Sequence, residues 1–433
     1  MRVRPSAPGS APALWQSALA GAMEYWISSR NVGAIFPGVF SESLACDSVF
    51  IGREKSSLPF LYNPFELYAA GVLTSPNLLV FGQIGYGKSA FVKALLARHL
   101  EIGYRGCVLD PKGEYEALVR RLKGSTFSFG REPGSGLNPL ESLSMAQLDD
   151  EGRPSHFSRL DNLVLTFSAA LQREVSPIES YVLDESLAEV ERAGDETDLF
   201  DLYDVLMETR DSAARRFGGF GGEASEVAGR LALELRRYLF GDLRGVIDGR
   251  KGVLNQPVSV DRLLQVDLFS ALRPEALRVG VPVFLALLSK QLIHSSSRYL
   301  IALDEAWLAL ASPGCVGFFR SYWKLARGYG IANIAVVHRS EDLAASGETG
   351  SVSEKVAKGL VGDSQTFVIF HLDATSARAV GDLLELSSAE VALISTLSRG
   401  SCLWKVAGNS YVVDVMLTAS EESMFNTDQR MKG

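Results

Sequence analysis

The chain has 433 residues, 47% of them apolar and 22% charged, with a formal net charge of −8. That apolar share excludes an intrinsically disordered chain, and no apolar run approaches the ~20 residues of a bilayer crossing. The acidic balance excludes a protein coated in basic surface for nucleic acid, so any such contact must be local, as in loops lining a central pore.

In chain order, the basic start Met1–Ser10 is followed by no clean apolar stretch and cleavage site, which predicts no secretion signal. Trp15–Ile27 is apolar enough to pack on a core or to touch a membrane surface, and a packed helix is the simpler reading. Residues 1–75 read as a short N-terminal segment packing on the core, closing with Leu61-Tyr-Asn-Pro-Phe65. From Asn77 the pattern alternates between strand and helix. The apolar run Leu78–Phe81 enters a glycine loop, Ala90–Leu100 has helical periodicity, and Cys107–Leu109, Glu114–Leu122 and Thr126–Phe129 read as strand, helix and strand. Such alternation predicts a mostly parallel sheet covered by helices.

Residues 149–243 read as an all-helical insertion, with helices at Phe157–Leu171, Ile178–Arg192, Leu199–Thr209 and Ala224–Leu239 and a break at the glycine cluster Gly218–Gly222. Between Glu141 and Asp204 there are sixteen acids and four arginines, a net of −12, which leaves +4 for the rest of the chain. This concentration of acid suits protein partners better than nucleic acid. The alternation resumes with strands at Leu264–Leu268, Tyr299–Leu303, Ile334–Val337 and Thr366–Phe370, and with helices at Glu275–His294 and Gly317–Arg327. Cys402–Leu417 alternates across Gly408-Asn409, the signature of a C-terminal β-hairpin. Residues 76–148 and 244–433 are thus expected to form one α/β core. Cys46, Cys107, Cys315 and Cys402 lie far apart without metal-ligand spacing, which predicts core packing in a reducing, cytoplasmic compartment. Peripheral docking at the inner face of the cell membrane is compatible with that, since it needs no apolar span.

Two motifs carry chemistry. Gly82-Gln83-Ile84-Gly85-Tyr86-Gly87-Lys88-Ser89 matches G-x-x-x-x-G-K-[ST] in full, between an apolar strand and the helix that opens at Ala90. Its glycines let backbone amides converge on phosphate oxygens at a helix N-terminus. Lys88 is expected to reach the β/γ-phosphates, and the Ser89 hydroxyl to ligate Mg2+. The second motif is Arg298–Ala306, an apolar strand that delivers Asp304 and Glu305 to the carboxyl edge of the sheet. Asp304 is the expected metal-shell carboxylate, and Glu305 the base that orients and deprotonates the attacking water.

Three weaker signals each have a plain structural alternative. Leu109–Tyr115 (LDPKGEY) could aim Asp110 and Glu114 at the same edge, or could simply be a β-turn and helix start. His338, after the strand at Ile334–Val337, fits a γ-phosphate sensor as well as a strand cap. An ATPase working as a ring needs an arginine offered to a neighbour's phosphate. Arg327, Arg339 and Arg399 are candidates for that finger, and each also fits a solvated arginine. No Asn-Lys-x-Asp run occurs, which favours ATP over GTP, and the kinase and Ser/His/Asp patterns are absent.

The order of motifs resembles the ATPase half of the conjugative-transfer and type IV secretion ATPases (the TraC-like class) of the HerA–FtsK superfamily. The likeness rests on Pro76-Asn77, the Asp-Pro-Lys-Gly-Glu-Tyr run, Asn138-Pro139, the helical insertion, Asp304-Glu305-Ala306-Trp307 and a late strand ending near a sensor, spanning Leu61 to Leu417. It implies a RecA-like P-loop ATPase working as a hexamer, with ATP and Mg2+ as cofactors and secretion-channel or coupling proteins as partners. It also implies nucleotide chemistry at Lys88, Ser89, Asp304 and Glu305, with Glu114 assisting. Where the family carries a glutamine sensor, His338 stands here. A HerA/FtsK-like double-stranded DNA translocase and a nucleotide-binding assembly scaffold with little hydrolysis are the competing readings.

Overall fold

The computed structural model describes residues 48–55, 58–128, 134, 136–141, 156–194, 197–216, 220–250, 262–268, 273–292, 295–304, 313–337 and 358–425. Glu305, His338, Arg339 and the segment Trp15–Ile27 lie outside these residues.

Strands β1 (Val49–Glu54) and β2 (Pro59–Tyr62) come first, followed by helix α1 (Pro64–Ala69), whose N-terminus is capped by the Asn63 side chain. Then come β3 (Leu78–Phe81), α2 (Lys88–Glu101), β4 (Arg105–Asp110), α3 (Glu116–Leu122) and β5 (Ser125–Ser128). Four long helices follow: α4 (His156–Leu171), α5 (Pro177–Ala193), α6 (Leu199–Arg216) and α7 (Gly221–Leu239). The chain returns through β6 (Leu263–Asp267), α8 (Pro274–Leu292), β7 (Tyr299–Leu303), α9 (Val316–Leu325), β8 (Ile331–Val337) and β9 (Thr366–Phe370). It continues with α10 (Ala374–Leu384), α11 (Ser388–Ile394), β10 (Ser401–Val406), β11 (Asn409–Val415) and α12 (Ala419–Phe425).

The eleven strands among the described residues form one sheet in the order β2-β1-β11-β10-β9-β3-β8-β7-β4-β6-β5. From β9 to β5 every pairing is parallel, and from β9 to β2 every pairing is antiparallel. Strands β3, β7 and β8 are buried along their whole length, as expected of central strands covered on both faces. A buried side chain, Asn77, ties the entry of β3 to its surroundings. Its amide donates to the Trp323 carbonyl (2.8 Å), and its oxygen accepts from the Asn333 backbone amide on β8 (3.1 Å).

Two features differ from the expectations. Strands β1 and β2 do more than pack on the core: they extend the sheet, with β1 pairing β11 through Gly52↔Val415. The C-terminal hairpin turns at Ala407 and Gly408, both at positive φ, with Asn409 already paired to Val406. The twist of the two strands selects a two-residue loop with left-handed central residues, and Gly408 supplies the second of them.

In the insertion, α5 starts with a capping box of Ser176 and Glu179, with Pro177 in its first turn. Arg173 closes the same corner on Glu179 and holds that carboxyl down at about 2. Helix α7 begins inside the glycine cluster, at Gly221, and buries Val227, Leu231 and Leu235. No helix among the described residues is long and apolar enough to cross a membrane.

Candidate functional site

Parallel strands deliver their carboxyl ends to one edge, so the segments after β3, β4 and β7 meet there by construction. After β3 the chain makes its glycine loop. Gly82 sits at φ +148, and a Cβ there would lie 2.6 Å from the Phe370 Cβ, so only glycine lets the loop leave β3 beside β9. Gly87, at φ +106, is the left-handed residue that turns the loop into α2. Gln83 donates its amide to the His371 carbonyl (2.9 Å), and Gly400 donates its amide to the Tyr86 carbonyl (3.1 Å). The Tyr86 ring stacks on His371, with centroids 4.2 Å apart. The loop is therefore held from β9 and from the turn before β10, while Ile84 and Gly85 face solvent.

Lys88 is buried, and its ammonium donates to the Gly82 and Gln83 carbonyls. Beside it is a cleft of about 550 Å³, lined by Ile84, Gly85 and the run from Gly87 to Phe91, by Lys112 and Glu114, and by Arg399 with Val415, Leu417 and Phe425. This volume suits a small cofactor, and the lining combines the charged side chains of Lys88, Lys112, Glu114, Arg399 and Glu422 with the apolar Val415, Leu417 and Phe425. Arg399 thus faces the phosphate loop of its own chain. Arg327 lies elsewhere, donating to the Thr74 carbonyl ahead of β3 (3.1 Å), at the opposite edge of the sheet.

Behind the loop lies a buried polar group of side chains. Asp110, fully buried at the end of β4, accepts from the backbone amides of Lys112 (3.1 Å), Glu114 (3.1 Å) and Tyr115 (2.9 Å) and from Gln265 Nε2 on β6 (2.8 Å). Its oxygens are committed to shaping the turn, whereas Glu114, from the same turn, lines the cleft. The Tyr115 hydroxyl donates to Asp304 Oδ2 (3.1 Å), and Asp304 is itself buried where β7 ends. Lys93, one turn beyond Ser89 on α2, reaches into the group, with its ammonium 3.7 Å from Glu114 Oε2 and 5.1 Å from the centroid of the Tyr115 ring. Burial lowers the Lys93 pKa, and the negative charges of Glu114, Asp304 and Asp110 oppose that fall. Burial, reinforced by the charges of Asp304 and Asp110, pushes the Tyr115 phenol well up, so it stays a hydrogen-bond donor.

The structure thus gathers Lys88, Ser89, Glu114 and Arg399 around one cleft, with Asp304 behind it through Tyr115. Sequence reading gave no role to Lys93, Tyr115 or Gln265. Lys93 did leave a signal: it shares a helix face with Ser89, Leu96 and Leu100, where an unpartnered charge would be costly. A hydroxyl and one carboxylate fit a cation that takes its remaining ligands from phosphate and water, as Mg2+ does. Among the described residues no three His, Cys, Asp or Glu side chains converge to hold a metal by themselves.

Compared with known proteins, residues 69–213 match the family model described as helicase HerA, central domain. No curated protein matches the sequence. VirB4 of Thermoanaerobacter pseudethanolicus shares the fold with a TM-score of 0.71 at 21% identity, over 86% of this chain and 97% of that one. The plasmid coupling protein TrwB in complex with ADP and Mg2+ gives 0.54 at 17% identity, over 79% of this chain and 86% of that one. TrwB in complex with the non-hydrolysable ATP analogue ADPNP gives 0.54 at 15% identity, over 79% and 85%. At such identities the likeness shows the fold, which is that of a RecA-like P-loop ATPase with a mostly parallel sheet.

Proposed function

We propose that this chain, a member of the HerA–FtsK superfamily by its HerA-type central domain and its VirB4-like fold, is the ATP-hydrolysing motor of a conjugative DNA transfer or type IV secretion apparatus. The observation that carries the proposal is the meeting, at one sheet edge, of the glycine loop with its buried Lys88 and of Asp304 at the end of β7. The amides of Gly82–Ala90 cradle the phosphates, and Lys88 turns from the loop carbonyls to the β/γ-oxygens. The Ser89 hydroxyl and the Asp304 carboxylate would hold Mg2+, which would supply positive charge to offset that of the phosphates. Glu305 orients the attacking water and accepts its proton, Glu114 adds negative charge at the same edge, and His338 donates a hydrogen bond to the γ-phosphate. The apolar side chains that line the cleft, Val415, Leu417 and Phe425, offer a surface for the base.

Identical subunits in a hexamer would convert phosphate release into relative movement, and secretion-channel or coupling proteins would receive it. The HerA-type domain also favours a second reading, a double-stranded DNA translocase. Steady-state ATP hydrolysis with and without double-stranded DNA tests both. Turnover without a DNA response supports the secretion motor, strong stimulation supports the translocase, and no turnover under either condition rejects the motor.

Arg399 lines its own chain's cleft, so its role is to bind the nucleotide held by the same subunit. Arg399→Ala is expected to weaken ADP binding by dilute, unassembled protein roughly ten-fold, the effect of losing one charge-assisted contact. Calorimetric titration checks this. Unchanged affinity in the dilute protein, with loss of turnover only on assembly, would instead make Arg399 a finger for the neighbour.

A further inference from the structure

The turn after β4 has a shape that its cleft-facing residues do not explain. Asp110 is fully buried and uses its carboxylate on the backbone amides of Lys112, Glu114 and Tyr115 and on Gln265, so it fixes the turn without facing the cleft. The product of that effort is the position of Tyr115, which is 0% exposed and held at both ends. Its backbone amide is anchored on Asp110 at 2.9 Å, and its ring lies near the Lys93 ammonium, 5.1 Å from the centroid. What remains is the hydroxyl, which donates to Asp304 Oδ2 at 3.1 Å. A buried phenol needs a partner, and this one has been given the carboxylate at the end of the neighbouring strand. An aspartate at a strand end can otherwise rotate about its last torsion between orientations of similar energy. A fixed donor on one oxygen removes that freedom and leaves the second oxygen with a defined direction.

We propose that Tyr115 is a positioning residue for magnesium: its hydroxyl holds the Asp304 carboxylate in the orientation that completes the metal's shell. The proposal rests on the reading of this edge as a Mg-nucleotide site. Tyr115 touches neither nucleotide nor metal, and it acts only through Asp304. The whole run from Asp110 to Tyr115 then has one purpose on each side. Glu114 is placed against the cleft, and Tyr115 is placed against Asp304.

The test is binding of a fluorescent N-methylanthraniloyl ADP to the full chain, in EDTA and across a Mg2+ titration, for wild type and Tyr115→Phe. In the wild type, Mg2+ tightens binding. Tyr115→Phe is expected to keep the wild-type affinity in EDTA and to need roughly five- to ten-fold more Mg2+ for the same tightening, the loss of one hydrogen bond to a charged group. Gln265→Met loosens the same turn one bond further away, leaves the phenol in place, and is expected to shift the Mg2+ midpoint the same way by less. A folded Tyr115→Phe protein with the wild-type midpoint overturns the proposal. So does a parallel loss of affinity in EDTA, which would make Tyr115 a support of the loop rather than of the carboxylate. If Tyr115→Phe does not fold, an unshifted midpoint in Gln265→Met overturns it. Wild-type binding that ignores Mg2+ would instead reject the Mg-nucleotide site itself, whatever the variants do.

Discussion

Lys88→Ala is expected to bind ATP about a hundred-fold more weakly than the wild type and to lose hydrolysis in step. The ammonium lies at the base of the glycine loop and is shielded from water, with hydrogen bonds to the carbonyls of Gly82 and Gln83. In that setting its charge acts on phosphate oxygens through a medium less screening than bulk water, which is why one cation can matter so much. The loop's path is fixed by Gly82, by Gly87 and by the amide contacts of Gln83 and Gly400, none of which alanine at 88 disturbs. The variant should therefore unfold thermally near the wild type without nucleotide, yet lack the rise in melting temperature that ATP gives the wild type. Thermal unfolding with and without ATP measures both halves of this expectation. An undiminished ATP-dependent rise would remove Lys88 from the site.

The second large effect is on stability. Trp404 on β10 is fully buried, with its ring centroid 4.9 Å from that of Phe60, 5.0 Å from that of Tyr62 and 5.4 Å from that of Phe91. It joins the N-terminal strand β2, the C-terminal hairpin and the helix that starts at Lys88. Trp404→Ala is expected to cost about 3–5 kcal/mol, the range for a large aromatic removed from a rigid core. Urea unfolding followed by circular dichroism measures it. A loss below ~1 kcal/mol would show that this end of the sheet repacks freely.

These two sites also show how far the sequence alone reaches. The phosphate loop is legible because its chemistry is local: eight consecutive residues, bracketed by an apolar strand and a helical period, specify it. The strand ending in Asp304 is legible once that loop is known, because parallel topology sends both to one edge. Trp404 and its partners are not legible in the same way. Phe60 and Trp404 meet only because β1 pairs with β11, and nothing near residue 60 announces a partner more than 340 residues later. The hairpin was legible from its alternation, but the turn centre fell one residue earlier than the Gly408-Asn409 signal suggests, since strand twist rather than residue preference chose it.

Inside the site the same division holds. Asp110 and Glu114 look alike in sequence, yet backbone amides claim the first and the cleft exposes the second. Which of the two carboxylates is satisfied by the turn is decided by the path of the folded backbone between them, which no local pattern states. Tyr115 and Lys93 gain their positions only when β4, β7 and α2 are packed together. Arg399 reaches the loop because the β10 hairpin lies two strands from β3, a placement no local pattern contains. Glu305 and His338 were singled out from sequence and lie outside the described residues, so their roles stand as proposals.

The measurement that bears most directly on the motor reading is Mg2+-dependent ATP turnover by the purified chain and by Glu305→Gln, with ATP binding followed on the same preparations. Glu305→Gln keeps the size of the side chain and removes the proton acceptor. It is expected to retain ATP at wild-type affinity while turnover falls by roughly 10²–10⁴-fold, the usual share of a general base. Turnover in Glu305→Gln equal to that of the wild type, or a wild type that binds ATP and never hydrolyses it, would contradict the account and leave a nucleotide-binding scaffold in place of a motor.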